Sequence, residues 1–245
     1  VGVAEANMVG IAAGLSAMGK IPYAATFGIF ASRRVFDQFF LSANYAQLNV
    51  NLVGTDPGVS AAYNGGTHMP FEDMGMMRLV PNLVVFEPAD ATSLAALVRQ
   101  SAAHKGSTYM RLHRKPLPDI YKDGEKFELG KGKIIEDGDD ITIIASGGVA
   151  VGEAIKAQAM LKEKGLSARL IDMHTIKPID KDLVIESAKK TKAIVTVENH
   201  QVVGALGSAV AEVLSENCPT KLKRVGVEDL FGEVGTMDYL KERFG

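Results

Sequence analysis

The stretch Ile141-Thr142-Ile143-Ile144-Ala145-Ser146-Gly147-Gly148, running on into Val149–Lys164, decides the fold class. Ile141–Ala145 is apolar and β-branched, the pattern of a buried strand. Val149–Lys164 then sets Val151, Ala154, Ile155 and Leu161 on one face and Glu153, Lys156 and Glu163 on the other, an amphipathic helix. A buried strand leading straight into such a helix is the repeating unit of an α/β fold with a mainly parallel sheet.

The same rhythm extends in both directions. Downstream, strands are expected at Ala168–Met173, Ala193–Val197 and Leu222–Val227, with helices near 180–190 and 204–215. Upstream, strands are expected at Ile21–Phe27, Asn49–Thr55, Leu83–Glu87 and Thr108–Leu112. Helices are expected at Glu5–Met18, Phe30–Asn44, Glu72–Leu79 and Ala91–Ala103. The rhythm breaks after His113, where Pro116, Pro118, Gly124, Gly130 and Gly132 fall among many charges. The chain therefore reads as two Rossmann-like α/β domains, 1–115 and 134–245, joined by a linker at 116–133. Val1 opens in what reads as the middle of a domain, so residues before it are expected.

Composition narrows the function classes. The 245 residues are 47% hydrophobic and 23% charged, which is a soluble globular balance. A formal net charge of −2 with no long basic run argues against nucleic acid as the partner. The single cysteine, Cys218, excludes an internal disulfide framework and a cysteine-cluster metal site, and it suits a reducing, cytoplasmic setting. The softest run, Met8–Met18, is only about half a membrane span, so no membrane association is expected. No two histidines have metal-ligand spacing, so no metal is expected on this chain alone.

Taken singly, the chemical signals are open to two readings. His68 lies in Asn64-Gly65-Gly66-Thr67-His68, a glycine-rich loop after a strand. Ligands gather at the carboxyl ends of parallel strands, although a hydrogen-bonded structural histidine fits the loop as well. Glu5 opens an Ala- and Gly-rich helix, where a carboxylate either caps the N-terminus or meets a ligand nitrogen. Gly10 and Gly14 share one face of that helix, which suits either a subunit interface or a tight core.

Read together, the motifs resemble the transketolase family. They are Gly2-Val3-Ala4-Glu5-Ala6-Asn7-Met8, Ala25-Thr26-Phe27-Gly28-Ile29-Phe30, Gly65-Gly66-Thr67-His68, Pro81-Asn82 and Glu87-Pro88-Ala89-Asp90, with Thr175-Ile176-Lys177-Pro178 as a later turn. Order and spacing match over essentially the whole chain. The resemblance is to the pyrimidine-binding and C-terminal domains of that family, encoded apart from the diphosphate-binding domain. It implies a thiamine diphosphate-dependent transferase moving a two-carbon ketol unit from a ketose to an aldose.

Residue by residue, the resemblance implies that Glu5 hydrogen-bonds the aminopyrimidine of thiamine diphosphate and fixes its imino tautomer. Phe27 and Phe30 would line the pyrimidine pocket, with plain core packing as the alternative. His68 would stabilise a substrate oxygen, and Arg114 would bind a terminal anion, with a solvated charge as its alternative. Arg33 and Arg34 would either help hold an anion or pair with Asp37.

Two positions depart from the family pattern. Asn64 stands where an aspartate is usual, and Asp56 where a histidine is usual. Both fall in the substrate channel, and an acid at 56 is expected to repel an anion. The expectation is kept cofactor chemistry with an altered donor, branched or sulfonated. The family's Gly-Asp-Gly diphosphate motif is missing. Mg2+ or Ca2+ would therefore be bound by a partner, an N-terminal transketolase subunit in an α2β2 heterotetramer. A 2-oxoacid dehydrogenase β subunit, deoxyxylulose-phosphate synthase or a non-catalytic scaffold remain as competing readings.

Overall fold

The computed structural model describes residues 1–245 as an α/β protein with two five-stranded sheets. In the first half, helix α1 (Glu5–Ala17) precedes β1 (Tyr23–Phe27). A wide helical stretch follows, with the short α2 (Phe36–Gln38) at its centre. Then come β2 (Asn51–Thr55), α3 (Asp73–Arg78), β3 (Val84–Phe86), α4 (Ala91–Ala103) and β4 (Thr108–Leu112). The second half contains β5 (Lys133–Glu136), β6 (Ile141–Ser146), α5 (Gly148–Glu163), β7 (Ala168–Asp172) and β8 (Thr175–Lys177). It closes with α6 (Lys181–Thr191), β9 (Ala193–Gln201), α7 (Leu206–Asn217), β10 (Lys221–Val227) and α8 (Met237–Phe244).

The second sheet runs β10-β9-β6-β7-β5, parallel except for the edge strand β5. The first sheet runs β1-β2-β4-β3-β8, and its four first-half strands are parallel. Its fifth strand, β8, comes from the second half and pairs antiparallel with β3. Thr175-Ile176-Lys177, read from sequence as a turn, is thus a strand that crosses to the other sheet. Lys177 Nζ secures the crossing by donating to the carbonyls of Arg78 and Val80. The ammonium sits at the C-terminal end of α3, where orphan carbonyls and the helix dipole favour a cation.

One apolar cluster runs through both halves, with Leu83, Val85 and Tyr109 meeting Ile144, Ile171, Ile176 and Leu206. The halves share a core rather than merely touching. The segment 116–133 has no regular structure before Lys133, which opens β5. It is nevertheless anchored, because Tyr121 and Phe127 are buried against each other with ring centroids 4.8 Å apart.

Helix α1 buries Val9, Ala12 and Ala13 and leaves Ile11 and Leu15 exposed; Met18, just past its end, is exposed as well. A Cβ added at Gly10 or Gly14 would meet nothing in this chain. The small-residue face is therefore open. No helix is long and apolar enough to cross a membrane.

The helix expected over Phe30–Asn44 is present in widened form. π-Helical turns at Phe30–Arg34 and Phe39–Tyr45 flank α2. Ser32 Oγ donates to the Gly28 carbonyl at 2.7 Å, four residues back, which competes with the ordinary helical bond. Such turns are rare and often accompany functional sites.

Candidate functional site

Parallel register brings the carboxyl ends of three strands level. Phe27 is the last residue of β1, opposite Thr55 of β2, which in turn lies opposite Leu112 of β4. Asp56 is one residue past β2, and Arg114 is two past β4. Crevices at such strand ends are where open α/β sheets bind ligands.

The rings at this edge form a triad. The Phe27 and Phe30 centroids lie 6.0 Å apart, and the His68 ring is 5.6 Å from Phe27 and 5.4 Å from Phe30, all edge-on. All three are half-buried. Core packing would have buried the phenylalanines; instead they form a partly open floor. His68 comes from the 3-10 turn Gly66–His68. Thr67 Oγ1 occupies its Nδ1 at 3.0 Å, which leaves Nε2 as the free ring nitrogen.

Glu5 is the first residue of α1, one past the cap position Ala4, and its carboxylate accepts from its own backbone N–H. It also meets Arg34, with Nη1 to Oε2 at 3.0 Å. Its own backbone N–H first, and then Arg34, hold the carboxyl below the usual range against the opposing pull of burial. The same Arg34 guanidinium lies over the Phe30 ring, 3.9 Å from its centroid. A flat, nitrogen-bearing group thus sits on an aromatic face while donating to a carboxylate. An aminopyrimidine ring, also flat and nitrogen-bearing, needs those two contacts. The side chain of Arg34 is 46% exposed, so water can replace its contacts at little cost. The residues present therefore fit the pyrimidine end of thiamine diphosphate.

The arginines correct one expectation. Neither pairs with Asp37: Arg34 goes to Glu5, and Arg33 Nε goes to Glu72 Oε1 at 2.9 Å. The wide π turn rotates residues four apart off a common face, so helical pairing within the segment fails.

Asp56 corrects another. It is buried, at 2% exposure, and its Oδ1 meets Arg114 Nε at 3.2 Å. The acid does not stand bare in the channel; it neutralises part of the arginine's charge. Arg114 also reaches the Phe27 ring, 5.4 Å from its centroid. Asn64 ends the 3-10 segment Gly58–Asn64, which is kinked at Ala62, and is exposed, with no hydrogen bond from its side chain. It lies on the same loop as His68 but joins none of these pairs.

That loop carries unusual backbone. Asp56 and Ala62 have φ of 58° and 47°, and Gly58 and Gly65 have 48° and 77°. Non-glycine residues at such angles cost of order 1–3 kcal/mol each and collect at functional sites. Sequence reasoning missed Glu72 and Asn199, which hold this region; neither falls in a motif.

No group of three His, Cys, Asp or Glu side chains is placed to hold a metal ion.

Comparison with known proteins gives one answer. Residues 1–119 match the family model "Transketolase, pyrimidine binding domain", and residues 130–245 match "Transketolase, C-terminal domain". The chain is 54% identical over its whole length to the 6-deoxy-6-sulfo-D-fructose transketolase subunit SqwH of Clostridium sp. (strain MSTE9), covering 76% of it. It is 44% identical to the putative transketolase C-terminal section of Methanocaldococcus jannaschii, again over its whole length and covering 77% of that protein. A solved structure described as "Split gene transketolase, inactive beta4 tetramer" superposes with a TM-score of 0.92 at 44% identity, covering 100% of this chain and 78% of that one. With both domain models matched along an α/β pair of sheets and the aromatic–carboxylate site at the strand ends, the chain belongs to the transketolase family.

Proposed function

We propose that this chain is the pyrimidine-binding subunit of a split, thiamine diphosphate-dependent transketolase, whose diphosphate and metal are held by a separate subunit. The single observation carrying this reading is the Arg34 guanidinium seated between Phe30 and Glu5, the outline of an aminopyrimidine seat. The open face of α1, with Ala6, Gly10 and Gly14 exposed, lies on the same helix whose buried face carries Glu5, and supports a partner packing beside the site. Relatives named as a transketolase subunit, a transketolase C-terminal section and a split-gene transketolase support the same reading, with two such pairs in an α2β2 assembly as the proposed arrangement.

Thiamine diphosphate held here would supply the electron sink that ketose carbon–carbon cleavage and re-formation require. Glu5 hydrogen-bonds the ring nitrogen and sets which nitrogen carries the proton. Phe27 and Phe30 line the pocket and keep water from it. His68, with Nε2 free, steadies a substrate oxygen, and Asn64 offers both a donor and an acceptor to a donor hydroxyl. Arg114 takes the terminal anion, with Asp56 beside it and Arg33 at the rim.

Asp56 supports a sulfonated ketose over a phosphorylated one. Its pairing with Arg114 leaves little net positive charge at that end of the channel. A sulfonate carries a single negative charge at neutral pH, whereas a phosphate monoester carries about −1.5 to −2. The Clostridium relative is named for such a sulfonated fructose.

The test uses this chain co-purified with its diphosphate-binding partner. Glu5→Gln should lower ketol transfer by about 10²–10⁴-fold; a scaffold subunit would be indifferent to the change. Near-equal kcat/KM for xylulose 5-phosphate and a 6-sulfonated fructose would overturn the donor assignment while leaving the reaction class standing.

A further inference from the structure

The loop that carries Asp56 is held by a residue from the other half of the chain. Asn199, on β9, is buried. Its Nδ2 donates to the Pro57 carbonyl at 3.0 Å, and its Oδ1 accepts from the Val59 amide at 2.9 Å. The carboxamide thus brackets Gly58 and closes on both of its neighbours. Gly58 has φ +48°, and a Cβ built on it would overlap that carboxamide. The Asn199 carbonyl also accepts from Arg111 Nη1 at 2.9 Å, and Arg111 Nη2 donates to the Pro70 carbonyl at 2.8 Å. Pro70 in turn accepts from the Gly58 amide at 3.2 Å. Asn199, Arg111 and Pro70 together frame the turn that follows Asp56.

Asp56 needs such a frame. It is a non-glycine residue at φ +58° and immediately precedes Pro57. A left-handed residue is strained, and a following proline restricts it further. Strain of this kind persists only where the surroundings over-determine it. Without that frame, relaxation of Asp56 toward negative φ would draw its carboxylate off Arg114.

Resting on the reading of Asp56 and Arg114 given above, we propose that Asn199 is a positioning residue for anion recognition: from the C-terminal half it fixes the Pro57–Val59 turn, which aims Asp56 at Arg114. The C-terminal domain thereby has a part in substrate choice without touching substrate.

Asn199→Ala removes both bonds, and Asn199→Asp keeps the acceptor for Val59 while losing the donor to Pro57. Two readouts apply. In the full chain, amide exchange at Val59 should accelerate by about tenfold or more in Asn199→Ala and less in Asn199→Asp. In the complex with the diphosphate-binding subunit, KM for a 6-sulfonated fructose should shift about tenfold in Asn199→Ala, with kcat and thiamine diphosphate affinity within about twofold of the parent. KM for unsubstituted fructose should not move. Unchanged Val59 exchange in a folded Asn199→Ala overturns the clamp, as does an equal change in KM for the charged and uncharged ketoses. Should Asn199→Ala fail to fold, Asn199→Asp carries the same two readouts, and a parental result in both sinks the proposal. A parent complex without ketol transfer would count against the transketolase reading alone, because the exchange measurement needs no turnover.

Discussion

Two sets of arginine–carboxylate pairs meet in this molecule, and they are built oppositely. At the channel mouth, Arg34–Glu5, Arg33–Glu72 and Arg114–Asp56 each join a more sheltered acid to an arginine whose side chain is 46%, 50% and 55% exposed. At the seam between the halves, Arg111 is 1% exposed and meets Asp73 Oδ2 at 3.0 Å and Glu87 Oε2 at 3.2 Å, with both acids equally buried. The Tyr109 hydroxyl adds a bond to Asp73 at 2.7 Å. An exposed arginine gives up its partner cheaply, so the mouth can re-pair with a ligand. A buried one cannot, because each ion left behind keeps its desolvation cost. The seam is scaffold, and the mouth is held ready for exchange.

The largest effect should come from breaking the seam. Arg111→Leu leaves Asp73 and Glu87 buried without a counter-charge and strips donors from Pro70 and Asn199. A loss of about 3–5 kcal/mol is expected, on the order of a 10 °C fall in Tm for a chain of this length. Urea unfolding measures it. If Arg111→Leu proves as mild as removal of a mouth arginine, the contrast drawn above is wrong.

Gly58→Ala tests the joint between the two regions. The new methyl faces both an unfavourable φ and the Asn199 carboxamide. A cost of about 1–3 kcal/mol is expected, smaller than that of Arg111→Leu because the turn is a loop that can shift.

The sequence made the two regions unequally legible, for physical reasons. Strands β1, β2 and β4 are apolar runs, so their carboxyl ends, and with them Phe27, Asp56 and Arg114, could be placed in advance. Strand β8 could not be read. It is three residues long, and only its pairing across the halves, at Val85↔Lys177 and Phe86↔Thr175, makes it a strand. Of the two alternatives for Arg33 and Arg34, pairing with Asp37 fails because that spacing holds only for α-helical turns, and the backbone there is π-helical. Asn199 left no local signal at all. Its partners Pro57 and Val59 lie some 140 residues earlier, and only the fold brings them together.

A third change sharpens the contrast through pH. Burial raises the Asp172 carboxyl from 3.8 to about 7, even though the Tyr121 hydroxyl donates to it at 2.8 Å; its other oxygen has no partner. An acid with a raised folded pKa favours the folded state fully only below its unfolded pKa. Its contribution is lost as pH climbs from about 4 through about 7. Asp172→Asn removes that loss. The Tm of the variant relative to the parent should therefore rise between pH 5 and pH 8, by several degrees. A difference independent of pH would show that Asp172 is ionised throughout. The Glu5 carboxyl is shifted in the opposite sense, so the same scan on Glu5→Gln should not show the trend.

The smallest effect on stability belongs to Arg34→Ala, and its smallness is the point. The pair with Glu5 is half in solvent, so its removal should change unfolding free energy by no more than about 0.5 kcal/mol. The Glu5 carboxyl should rise only part of the way toward its ordinary value, because its own backbone N–H, the larger cause of the lowering, is untouched. Stability drawn from a depressed acid is present at neutral pH and fades as pH falls through the folded pKa, so the variant should differ from the parent least under acid conditions. An NMR titration of Glu5 reads the shift directly. If Arg34 only holds the seat of the pyrimidine ring, removing it clears the Phe30 face without unfolding anything, and thiamine diphosphate should bind the two-subunit complex at least as tightly as before by calorimetry. Weaker binding would make Arg34 a ligand contact in its own right and place it with the residues that hold the cofactor rather than with those that give way to it.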